Sequence, residues 1–83
     1  MHEIDLVETD RYLFKLAMPL ENSTRGYLVR YRPVFRTGLL ERTILCDNGK
    51  WHTQRAAQTY WQDSYSLSEA KEYLAWLFLE QAQ

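Results

Sequence analysis

Eighty-three residues with 46% hydrophobic and 14% aromatic side chains allow one small α+β domain over 1–83 with a single modest core. Only three Gly and two Pro exclude a disordered or linker-like chain. The formal net charge of −1 and the single cysteine, Cys46, exclude a strongly basic tail and an internal disulfide.

The charges are segregated. Up to residue 24, Glu3, Asp5, Glu8, Asp10 and Glu21 outnumber Arg11 and Lys15. Between 25 and 55, Arg25, Arg30, Arg32, Arg36, Arg42, Lys50 and Arg55 face only Glu41 and Asp47. Beyond 55 the chain is acidic again, with Asp63, Glu69, Glu72 and Glu80 against Lys71. The N-terminal residues lack the basic and apolar regions of a signal peptide, and no apolar run approaches the roughly 20 residues of a bilayer span. The expected setting is therefore the cytoplasm, with no membrane partner.

The first expected strand covers about 11–18, where Tyr12, Phe14, Leu16 and Met18 alternate with other residues. Pro19 and the polar run to Gly26 end it in a loop. The second strand, 27–36, divides by the period of two. Tyr27, Val29, Tyr31, Pro33 and Phe35 point to one side, and Leu28, Arg30, Arg32, Val34 and Arg36 to the other. We expect the aromatic side to be core and the arginine side to be offered to a partner, together with Lys15 and His52.

Thr37-Gly38 suggests a tight reversal into a third strand over 39–46. Asn48-Gly49 is the preferred pair for a two-residue type I′ hairpin. That turn places Cys46 opposite Trp51, with Cys46 and His52 on opposite faces; if Thr37-Gly38 is also a two-residue turn, Phe35 faces Leu40. Residues 58–65 read equally as strand, loop or interface, so the meander has four strands, or five if this segment adds one. Ser66 and Glu69 form a capping box that starts a helix running to about 81. Its stripe of Leu67, Ala70, Leu74, Leu77 and Phe78 is expected on the apolar face of the sheet. Tyr73, Trp76 and Leu79 are left over on its back, as candidate anchors for self-association into a homodimer.

The residues suggest no chemistry. A thiol nucleophile needs an adjacent base, which the expected register denies Cys46. One Cys and two His with no paired spacing suggest no metal site and no cofactor. The expectation is a non-enzymatic protein-interaction module, a small regulator, inhibitor or subunit. It would bind an acidic protein surface through the arginine face and self-associate through the helix. The arginine bias supports this, because guanidinium groups bind carboxylates and phosphates bidentately. The alternative is a nucleic-acid-binding module, weakened by the missing aromatic stacking platform on the basic face.

Overall fold

The computed structural model describes residues 2–34 and 36–82. Five antiparallel strands form a meander: β1 (His2–Glu8), β2 (Leu13–Met18), β3 (Tyr27–Val34), β4 (Leu39–Leu45) and β5 (Trp51–Thr53). A one-turn helix α1 (Gln54–Ala57) follows, and the long helix α2 (Leu67–Ala82) closes the chain. Among the described residues, no helix is long and apolar enough to cross a membrane.

The fifth strand is N-terminal. His2–Glu8 pairs with β2, from His2 opposite Met18 to Glu8 opposite Leu13. Its alternation is broken by a bulge between Asp5 and Val7, which turns both Leu6 and Val7 toward the core cluster. Residues 58–65 make a turn and two isolated bridges, Gln62 with Cys46 and Tyr65 with Gly26.

The β4–β5 hairpin departs from the expected register by one residue. Among the described non-glycine residues none has positive φ, so Asn48 cannot serve a type I′ turn; only Gly49, at φ 79°, enters that region. The loop is therefore three residues long. Gly49 N–H donates to Cys46 O, and Cys46 N–H donates to Lys50 O, both at 3.0 Å. The packing of residues 58–65 enforces this, because Asp47 N–H donates to Trp61 O instead of to Lys50. Leu45 now opposes Trp51 and Ile44 opposes His52. A one-residue slip reverses every side chain of the second strand. So Trp51 does not oppose Cys46, and Cys46 and His52 share a face.

The β3–β4 loop also differs, but by two residues. Val34 pairs with Leu39 and Pro33 with Leu40, and Gly38 in the connection takes φ 71°. An even shift keeps the faces. Phe35, expected in the core opposite Leu40, lies outside the described residues.

The helix covers the other face of the sheet from the one expected. Phe14 pairs with Arg30 and Leu16 with Leu28, so β2 sends its large apolar residues to the arginine side of β3. Phe14, Leu16, Met18, Leu28 and Leu45 form the main core there with Ala70 and Leu74 of α2. Leu77 and Phe78 pack against its margin, while Leu67 is left exposed. The opposite face buries Val29, Ile44 and Cys46 under Ala57 of α1, with Tyr27 and Tyr31 at its edge. Both faces of the sheet are covered, and each needs its own apolar row. The capping box forms as its residues require: Ser66 N–H donates to Glu69 Oε1 at 3.0 Å, and Glu69 N–H donates to Ser66 Oγ at 3.2 Å.

Candidate functional site

A meander places alternate loops at the same end of the sheet. The β1–β2 turn (residues 9–12) and the described part of the β3–β4 connection (residues 36–38) therefore lie together, away from the β4–β5 hairpin. Three open grooves meet at this end and share Asp10, Arg11 and Tyr12. One, of about 650 Å³, adds Arg30, Trp51, Leu77 and Phe78. A second, of about 620 Å³, adds Arg32, Pro33 and Val34. Leu39 and Leu40 begin β4 at the same end and are 68% and 59% exposed. Apolar surface and guanidinium groups are thus interleaved.

Arg30 is the central side chain. It leaves β3 on the helix side, beyond the region α2 seals, flanked in the sheet by Phe14 and Thr43. Its guanidinium carbon sits 4.3 Å from the Tyr12 ring centroid and 4.8 Å from that of Trp51. The Phe14 ring meets Trp51 edge-on at 5.8 Å, and meets Phe78 edge-on at 5.7 Å. The two cation–π contacts fix the plane of the guanidinium. Its Nε is buried with no hydrogen-bond acceptor among the described residues. Among the described residues, no carboxylate lies within 4.0 Å of it. Burial lowers the Arg30 pKa from its ordinary value and the neighbouring Arg32 adds to this, while Tyr12 and Glu41 act in the opposite direction. An arginine remains charged under either influence.

The residues expected to form one basic surface do not share a face. Arg30 and Arg32 stand on the helix side, and Arg32 is paired with Glu41 directly across the ladder at 2.9 Å. Arg36 is exposed in the β3–β4 loop. Lys15 points to the opposite side, where its Nζ lies 3.3 Å from Asp5 Oδ1 and 5.4 Å from the Tyr31 centroid. There Tyr31 Oη donates to Glu3 Oε1 at 2.6 Å, and Arg42 Nε donates to Tyr31 Oη at 3.2 Å. His52 also belongs to that side. Its ring stacks on Tyr60 at 4.2 Å, and its Nε2 lies 3.1 Å from Asn48 Nδ2.

The shared face of Cys46 and His52 raises the thiol question afresh. Cys46 is 1% exposed and its Sγ–H donates to Ile44 O at 3.7 Å. Burial, reinforced by Asp47 and Asp63, raises the thiol pKa, which disfavours the nucleophilic thiolate. The imidazole is engaged by Asn48 and Tyr60 instead.

On the back of α2, Trp76 is 54% and Leu79 66% exposed. Residues 58–65 do not cover Trp76, although Tyr65 packs on Tyr73 at 5.8 Å. Tyr73 is half-buried against the core and also contacts the Trp76 ring at 5.8 Å.

The sequence reading passed over Tyr12 and Trp51 as partners of Arg30. The signal lay in Phe14: a large apolar residue in register with Arg30 puts that arginine over the core rather than over solvent. No protein-family model, curated protein or solved structure matches this chain.

Proposed function

We propose that this protein is a non-enzymatic interaction module, a small regulator, inhibitor or subunit. It binds an acidic protein surface through the arginine-bearing end of its sheet and self-associates through the back of α2. Arg30 carries the reading: a half-buried guanidinium held against two rings, with no carboxylate within 4.0 Å among the described residues, is a cation that a partner's anion would stabilise. Arg32 and Arg36 stand exposed nearby, and exposed Leu39 and Leu40 supply the apolar area that charge alone lacks. Lys15 and His52 face the other side, so they fall outside this surface. The single cysteine is compatible with a cytoplasmic setting.

Self-association rests on Trp76 and Leu79, two large apolar side chains on one helix face with most of their surface open. Sedimentation equilibrium is expected to show dimers at high micromolar concentration that W76A/L79A abolishes. A wild-type monomer under those conditions removes this part of the reading.

The partner reading is tested by affinity capture from the source cells, with nuclease, comparing wild type with R32E/R36E. The expected result is an acidic protein retained through nuclease treatment and lost with the double variant. Capture abolished by nuclease, with steep salt dependence, makes nucleic acid the ligand instead. Equal capture by both forms shows that the arginine end is only a solvated surface.

A further inference from the structure

The groove between the β1–β2 turn and the C-terminal part of α2 is a built feature. Its volume of about 650 Å³ lies within the usual range of roughly 300–1,000 Å³ for ligand sites. One wall is apolar, from Leu77 and Phe78. The same lining presents Arg30, held against Tyr12 and Trp51. The charged groups lining it are Arg11, Arg30 and Asp10, with Arg32 next door already neutralised by Glu41. Asp10 lies outside ion-pair distance of Arg30.

Resting on the interaction reading above, we propose that this groove is a carboxylate-binding pocket. It takes an acidic segment of the partner in which an aspartate or glutamate is followed closely by a large apolar residue. The carboxylate meets the two Nη groups of Arg30, next to an Nε that is buried without a hydrogen-bond partner among the described residues. The apolar side chain lies against Leu77 and Phe78. Three features favour this occupant. The rings of Tyr12 and Trp51 each have one face taken by the guanidinium, so they offer less surface for stacking nucleic-acid bases. The clamp holds the planar fork in place, so little side-chain entropy is lost on binding. The pairing of cation with apolar wall matches a mixed acidic and apolar segment better than a phosphate, which needs no apolar neighbour.

The test uses the intact protein labelled with ¹⁵N. The probe is a capped peptide in which aspartates alternate with leucines, and the control replaces each aspartate with asparagine. Saturable shifts are expected at Arg30 Nε–H and the Trp51 indole N–H. The asparagine peptide should bind at least about tenfold more weakly, because charge-assisted bonds are about twice as strong as neutral ones. R30K should weaken the acidic peptide about tenfold as well, since an ammonium keeps the charge but loses the bidentate fork. The dispersion of the Trp51 indole signal reports whether R30K is folded; if it is not, the comparison of the two peptides on wild type decides. Equal binding of both peptides, shifts mapping elsewhere, or undiminished binding by folded R30K overturns the pocket. The pocket can fail alone: R32E/R36E still losing the captured protein while no peptide shifts Arg30 leaves the broader reading standing.

Discussion

The position of Trp51 is the structural feature on which the arginine site depends, and a double-mutant cycle measures it. The perturbations are Trp51→Leu and Arg30→Met, singly and together. Trp51 lies 4.8 Å from the Arg30 guanidinium, and Arg30 is half-buried. Cation–π pairs contribute about 0.5–1 kcal/mol when exposed and about 2 kcal/mol when desolvated, so a half-buried pair should couple by about 1 kcal/mol. For a domain of this size that corresponds to about 4–8 °C in Tm. Urea unfolding of the four proteins at neutral pH reads the coupling from the midpoints at constant m-value. A second cycle pairs Trp51→Leu with Cys46→Ala. Those side chains lie on opposite faces of the sheet, so their effects should add to within about 0.5 kcal/mol. Coupling of about 1 kcal/mol between Trp51 and Cys46, with none between Trp51 and Arg30, would refute the register and the clamp together.

Further expectations follow from other parts of the fold. Gly26→Ala should destabilise by about 2 kcal/mol or more, because a Cβ there would lie 2.5 Å from Ala17 O and 2.9 Å from Met18 Sδ, at a bridge that also receives Tyr65 N–H. Gly38→Ala meets no atom within 4 Å and should cost only the positive-φ penalty of about 1–2 kcal/mol; thermal melts compare the two. Cys46 should resist alkylation by iodoacetamide at pH 8 in the native protein and react rapidly in urea, since burial raises its pKa and closes access. Glu69 has its pKa lowered by the Ser66 backbone N–H, then by Arg25 and the Ser66 side chain. A depressed folded pKa contributes stability above the ordinary value of 4.5 that is lost as pH falls through the lower folded value. E69Q should therefore lower Tm at pH 7 and narrow its gap to wild type below pH 4, measured by thermal melts across that range.

Features set by neighbours along the chain were legible in the sequence. The Ser66–Glu69 box, the reversal at 47–50 and the two-sided pattern of 27–34 each depend on residues within one turn or one strand. What failed was parity. Whether Trp51 joins Leu45 or Cys46 depends on the φ of Asn48 and on Asp47 N–H, and the latter is claimed by Trp61 from a segment with no readable pattern. The first strand escaped notice because its bulge at Asp5–Val7 breaks the alternation that identifies a strand. The covered face of β3 was misread because both of its faces carry apolar residues. Only the register with Phe14 and Leu16 shows that the larger core lies on the side of Leu28. The clamp on Arg30 draws Tyr12 and Trp51 from two other parts of the chain, so the arginine stripe was visible and its geometry was not.

The central claim is that the arginine-bearing end of the sheet meets a protein partner. Photocrosslinking in the source cells tests it most directly, with a benzoylphenylalanine replacing Leu39 at that end or Leu20 in the loop at the other end. Both positions are well exposed, at 68% and 67%, so each can report what approaches it. The account predicts a discrete protein adduct from position 39 that R32E/R36E abolishes, and none from position 20. Adducts of equal strength at both positions, or an adduct at 39 that is nucleic acid, would contradict it.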